Sequence, residues 1–304
     1  MKKLERRKFL QSSALIATSM VLPVLSSFKK YDPLLSFSTL GCPDWNFDQV
    51  LQFASSQGYK GIELRGIRRE LNLPACPAFN SPEHISESLK KMQDQNLRFV
   101  DLGSSAALHF REGEERRKNL NEGRSFIELA AKLNCPYIRV FPNNLLKEQQ
   151  KQETIDLMAS GLHELGEFAK GSGVKVLMET HGELIHSEDI EEVMNRADHP
   201  STGLVWDVVN MWSVTKEPVA SVFNRLSKYI FHTHIKDAIV NGSQINYTFL
   251  GQGNTPIFEA IDLLVKKEYS GFFSFEWEKL WHPELAAPEL AFADYVKAMK
   301  KHFK

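Results

Sequence analysis

Four side chains able to ligate a metal close four successive apolar runs, one per run. They are Glu179 in KVLMETHG, Asp207 in TGLVWDVVN, His234 in YIFHTHIKD and Glu276 in GFFSFEWEK. Each run is short, rich in β-branched and aromatic residues, and followed by a stretch with helical periodicity. That is the layout of parallel strands whose C-terminal ends share one rim. Three carboxylates gathered there would repel one another, and a divalent cation removes the conflict. An oxygen-rich donor set with one imidazole suits Mn²⁺, Mg²⁺ or Co²⁺ and admits Zn²⁺.

Each ligand also has a plainer reading. Glu179 follows a run apolar enough to be buried, so its charge needs a partner, and Arg139 of the preceding strand would serve. His232 and His234 share a strand face, so one of them would be a hydrogen-bonded core histidine. Asp237 stands where it would orient a ring as a hydrogen-bond acceptor. Glu276 and Glu278 also share a face, and Glu276, nearer the apolar run, is taken as the ligand. Glu63 and Arg65 in GIELRG, His109 after SSAAL, His181 two residues past Glu179, and Lys236 beside His234 are expected to contact substrate. Trp206, Trp212, Trp277 and Trp281 would suit stacking on sugar faces, core packing being the commoner use of any one of them.

Strand and helix alternate along the chain. The strand candidates are LLSFSTLG, KGIELRG, LRFVDLGSS, YIRVFPN, VKVLMETH, TGLVWDVVN, YIFHTHIKD and GFFSFEWE. Helical periodicity covers 47–57, 82–95, 114–133, 151–170, 188–196, 218–226, 257–267 and 288–303. Ser81 with Pro82 marks one helix start, and Gly171 with Gly173 marks one helix end. Eight of each is the number of a (β/α)8 TIM barrel, an α/β fold whose sites lie at the C-terminal ends of its strands. An open doubly wound sheet would want a Gly-rich turn after its first strand, and GCPDW is not one.

Residues 1–30 are set aside as a twin-arginine-type export signal, leaving 31–304 as a single barrel domain. Lys2, Lys3, Arg6, Arg7 and Lys8 precede a weakly apolar stretch, and ERRKFLQ carries the paired arginines. Ser12, Ser13, Ser19 and Pro23 make that stretch a poor membrane anchor, so the mature protein is expected in the periplasm or otherwise exported, without stable membrane insertion. Lys plus Arg number 37 against 38 Asp plus Glu, a balance that gives no sign of a nucleic-acid surface, and no nucleic-acid partner is expected. Cys42, Cys76 and Cys135 form no CxxC pair, which argues against a thiolate zinc site.

ETHGE, WDVVN, HTHIKD, LGQG, FEWEKLWHP and GYKGIELRG resemble the sugar phosphate isomerase/epimerase family of the xylose-isomerase-like TIM barrel superfamily. The similarity runs from about SFSTLG to the end. It implies that Glu179, Asp207, His234 and Glu276 bind the metal, and that Glu179 and Glu276 also act as the catalytic acid/base pair. It implies too that copies of the chain associate, as proteins of this fold often do. One departure stands out. Many sugar epimerases of the family carry a histidine three positions after the aspartate, and here that position is Asn210, which keeps a polar contact to substrate but no imidazole. The endonuclease branch of the superfamily uses extra histidines and a basic face that this chain lacks.

A metal on two adjacent sugar oxygens, one of them a carbonyl, acidifies the neighbouring C–H, and a carboxylate in reach removes the proton to give a metal-held enediolate. Return of the proton gives epimerisation or isomerisation, which is the leading expectation for a small-molecule sugar or glycoside substrate. Loss of a β-substituent gives elimination, as in a 3-keto-glycoside lyase releasing its C1 aglycone. A barrel that binds exported carbohydrate without turnover is the third reading, which two convergent glutamates disfavour.

Overall fold

The computed structural model describes residues 31–304, and the export-type segment over 1–30 lies outside the described residues. Seven strands come first: β1 (Leu35–Ser38), β2 (Gly61–Leu64), β3 (Arg98–Ala107), β4 (Tyr137–Phe141), β5 (Lys175–Glu179), β6 (Thr202–Asp207) and β7 (Ile230–Ile235). An antiparallel hairpin of β8 (Asp237–Asn241) and β9 (Gln244–Thr248) then precedes β10 (Phe273–Phe275). Parallel pairing in the order β1-β10-β7-β6-β5-β4-β3-β2 closes the barrel expected from the alternation.

The outer helices are α1 (Phe47–Gln57), α2 (Pro82–Asp94), α3 (Glu114–Lys132), α4 (Lys151–Ala169), α5 (Ser187–Ala197), α6 (Val208–Thr215), α7 (Val219–Leu226), α8 (Ile257–Lys266) and α9 (Pro288–His302). Their starts follow local chemistry. Asn46 and Gln49 exchange side-chain-to-backbone hydrogen bonds of 2.9 Å at the head of α1, and Ser81 accepts from the His84 amide at the head of α2. On the helix side of the barrel wall, Phe37 stacks on Phe292 at 4.2 Å and Phe275 on Tyr295 at 4.6 Å. These pairs seal α9 over the β1–β10 seam, each buried ring contributing about 1.5–3 kcal/mol.

Two elements differ from the sequence reading. TGLVWDVVN does not continue as strand beyond Asp207. The Asp207 side chain accepts the Asn210 amide at 2.8 Å and caps α6, an added helix, so the chain turns at the rim. YIFHTHIKD likewise stops as a barrel strand at Ile235, and Lys236 alone separates β7 from the hairpin. Asp237 accepts from the amides of Gly251 and Gly253 at 2.8 and 3.0 Å and from the Thr255 hydroxyl at 2.6 Å, folding LGQGNT back against β8. A Cβ on Gly253 would lie 2.1 Å from the Asp237 carboxylate, so only glycine permits that approach. Among the described residues, no helix is long and apolar enough to cross a membrane, and all three cysteines are free and buried.

Candidate metal centre

Barrel interiors are normally packed with branched apolar side chains. Here the inward positions near the C-terminal rim are polar and almost wholly buried: Glu63, Arg139, Glu179, Asp207, His234, Ser274 and Glu276 among them. Strand order explains the gathering. Glu179, Asp207, His234 and Glu276 come from β5, β6, β7 and the end of β10, four adjacent strands, and Asp207 pairs in register with His234. One donor atom from each lies within 4.8 Å of every other.

His234 is the hub. Its Nδ1 stands 3.3 Å from Glu179 Oε1, 3.3 Å from Glu276 Oε1 and 3.7 Å from Asp207 Oδ2. Its Nε2 faces the other way, 3.2 Å from Glu63 Oε1, at an angle short of a hydrogen bond. Burial pushes the imidazole toward the neutral form, but Glu276, Glu63 and Glu179 together hold its pKa well above the usual value. Burial likewise works against ionised Glu276, and His234 and Lys236 overcome it, holding that carboxyl well below its ordinary range. Glu179 is lowered against the same burial by His234 and Arg139.

The two oxygens of Glu179 face different partners. Oε1 turns to His234, while Oε2 lies 3.2 Å from Arg139 Nε. Lys236, expected to meet an anionic intermediate, sits inside the cluster, its Nζ 2.8 Å from Asp207 Oδ2 and 2.6 Å from both Glu276 Oε2 and Glu278 Oε1. Glu278 therefore borders the site through Lys236, and burial raises its carboxyl to about 6. Tyr247 of β9 brings the hairpin over this corner, its ring 5.5 Å from the Lys236 ammonium.

The remaining expected residues divide. Asn210 points at Glu179, its Nδ2 3.4 Å from Oε1. His181 is half-buried at the rim with Nδ1 3.2 Å from Asn143 Oδ1. His109 is buried against the Phe110 ring at 4.1 Å and its Nδ1 makes no hydrogen bond. Arg65 is buried, donating to the Gly103 carbonyl and to Ser105 Oγ, and burial lowers it to about 10. Glu63, expected to contact substrate, is 1% exposed, with Oε2 taken by His232 at 2.9 Å and by Ser274 at 2.8 Å. Asp237 corrects the expectation of a ring-orienting acid, because it is committed to the LGQGNT loop. Trp206 is a buried wall residue against Phe223, while Trp281 is 54% exposed. Sequence reading passed over Asp101, the register partner of Glu63, which is fully buried with neither oxygen hydrogen-bonded. Its inward alternation in LRFVDLG was the available signal.

The residues fit a divalent cation. Glu179 Oε2 and Asp207 Oδ2 are buried without a hydrogen bond, their cationic neighbours lying outside bonding angles. A ring nitrogen facing three carboxylates is the donor set of a hard-to-borderline metal.

A family model described as xylose isomerase-like TIM barrel matches residues 51–301, and the chain belongs to that family. Among curated proteins it is similar to fructoselysine 3-epimerase of Shigella flexneri, 23% identical over 75% of this chain and 84% of that one. It is also similar to 3-dehydroshikimate dehydratase of Bacillus anthracis, 24% identical over 76% of this chain and 85% of that one. Among solved structures, the IolI protein with a bound zinc atom superposes with a TM-score of 0.74 at 21% identity, covering 88% of this chain and 97% of that one.

Proposed function

We propose that this protein is a divalent-metal-dependent sugar isomerase or epimerase that moves a proton next to a carbonyl group. The observation that carries the reading is the convergence of Glu179, Asp207, His234 and Glu276 from four neighbouring strands to within 4.8 Å. Those four would hold the ion, with Mn²⁺, Mg²⁺ or Co²⁺ favoured by the oxygen-rich set and Zn²⁺ supported by the zinc-bound relative. Such an ion supplies a Lewis acid that polarises a carbonyl and acidifies the adjacent C–H.

The chain's own residues supply the proton chemistry. Glu179 and Glu276 stand at the two ends of the four-strand arc, so they approach a bound sugar from different sides. Arg139 beside one and Lys236 beside the other keep both carboxylates ionised and ready to accept a proton. One glutamate removes the proton and the other returns it. Lys236 stands where negative charge would build on the substrate oxygen, and Tyr247 offers an aromatic face near that corner. The basic, weakly apolar start supports export, and an exported enzyme meets free sugars and glycosides more than phosphorylated ones.

A second reading is elimination. The buried Lys236–Glu278 pair beside Glu276 would serve to protonate a leaving group, and a dehydratase stands among the relatives. A 3-keto-glycoside losing its C1 aglycone fits that chemistry. The test is incubation of Mn²⁺- or Zn²⁺-loaded protein in D₂O with aldoses, ketoses and 3-keto-glucosides, followed by NMR. Deuterium entering next to the carbonyl without aglycone release is expected. Release points to the lyase, and neither event across the panel would sink both.

A further inference from the structure

We propose that Glu63 is the positioning residue of the metal centre, fixing the His234 ring so that Nδ1, and not Nε2, is offered to the cation. The inference rests on the metal reading above and adds to it a residue from the opposite end of the chain. Glu63 lies on β2 and His234 on β7, which do not pair in the sheet, and their side chains meet across the barrel interior.

An ionised carboxylate accepts hydrogen bonds and donates none. Once a cation takes one ring nitrogen, the other, turned toward such a carboxylate, is the one that keeps the proton. Glu63 Oε1 lies 3.2 Å from His234 Nε2, and a neutral ring with its proton there has its lone pair on Nδ1. That lone pair points into the space shared by Glu179, Asp207 and Glu276. Without a cation Nδ1 keeps a proton shared with Glu179 Oε1 at 3.3 Å, and a cation entering there takes the place of that proton and completes a ligand set. The carboxylate is itself held on its other oxygen, by His232 Nε2 at 2.9 Å and by the Ser274 hydroxyl at 2.8 Å. The His232 and His234 rings stand 6.0 Å apart at 84° to one another, each presenting one nitrogen to the same buried acid. One side chain thus ties β2, β7 and β10 together beneath the site. Asp237, the acid nearer in sequence, is spent on its loop and does not compete for the ring.

The experiment loads the full chain with Zn²⁺ and, separately, with ¹¹³Cd²⁺. Zinc affinity is read by competition with a chromophoric chelator, and the coordinating nitrogen is read by cadmium coupling in ¹⁵N-histidine-labelled protein. Wild type is expected to couple cadmium to Nδ1 of His234, with a slowly exchanging proton on Nε2. Glu63→Gln removes an acceptor while keeping the shape, and zinc affinity is expected to fall by about 10–100-fold, with the Nε2 proton exchanging fast. Ser274→Ala removes one of the two donors to the far oxygen of Glu63 and is expected to weaken zinc by about 2–10-fold. A merely structural role would lower the metal-free melting temperature while leaving zinc affinity and Nε2 exchange unchanged.

Coupling to Nε2 in wild type, or a folded Glu63→Gln that holds zinc as tightly as wild type, overturns the inference and leaves the metal reading standing. Should Glu63→Gln fail to fold, Ser274→Ala with wild-type affinity overturns it instead. Wild type that binds neither ion overturns both.

Discussion

Two groups of the same residue types lie one above the other inside the barrel and solve their charge problem in opposite ways. The upper group sets Glu179, Asp207 and Glu276 around one face of the His234 ring, three acids to a single nitrogen. The lower group sets one acid, Glu63, against two imidazoles and a serine. Burial raises the Glu63 carboxyl, yet His234 and His232 bring it well below its ordinary range, so it is satisfied within the protein. In the upper group Arg139 and Lys236 stand close but leave buried oxygens outside hydrogen-bond angles. The lower group thus answers Glu63 with donors of its own, while the upper group leaves carboxylate oxygens over, as a cation site would.

The sharpest way to break the comparison is to remove one acid from the upper group. Glu276→Gln is expected to cut carbon–hydrogen exchange by on the order of 10²–10⁴-fold, read as deuterium uptake per turnover. A carbohydrate-binding barrel would keep its affinity after the same change and would never have shown exchange.

Removing the cation comes next. Chelation from a state holding metal at about 100 times Kd is expected to cost about 2.7 kcal/mol, or about 5–10 °C in melting temperature. Asp207→Asn should abolish most of that difference, read by scanning calorimetry with and without chelator. An Asp207→Asn protein that responds to chelator as wild type does would place the cation elsewhere.

Asp101, the register partner of Glu63, lies beside the lower group as a buried acid without a donor. Burial lifts its carboxyl from 3.8 to about 7, with Glu63 adding to the rise and His232 and Arg139 opposing it. The folded protein then holds this proton more tightly than the unfolded chain does. The stability that this contributes is complete below the unfolded value and is lost as pH climbs through about 7. Asn cannot release a proton, so Asp101→Asn is expected to gain on wild type between about pH 4 and pH 7, read as the difference in denaturant midpoint. A constant difference across that range would mean that Asp101 stays ionised.

The smallest effect belongs to Asn210→Ala. Its single long contact to Glu179 is worth no more than about 1 kcal/mol, so metal affinity should change by less than roughly fivefold.

The upper group was legible in the sequence because each of its members ends an apolar run, and the four strands that carry them are neighbours in the closed sheet. Alternation alone brought those residues to one rim. The lower group was not legible, because Glu63 and His232 are 169 residues apart and meet only across the closed barrel. Asp237 misled for a local reason, since the four donors that claim it lie in the next residue, Ala238, and in LGQGNT. The added helix after Asp207 was hidden because the candidate ligand is also the cap, and a capping aspartate reads the same as a strand-end one. The β8–β9 hairpin, too short and polar to stand out as strand, is what carries Tyr247 to the mouth.

The most direct measurement is anomalous diffraction from crystals grown with Mn²⁺ or Zn²⁺. One peak is expected, about 2.0–2.3 Å from a carboxylate oxygen of Glu179, Asp207 and Glu276 and from Nδ1 of His234. A metal-soaked crystal with no peak there, and with Lys236 still bridging Asp207 and Glu276, would contradict it.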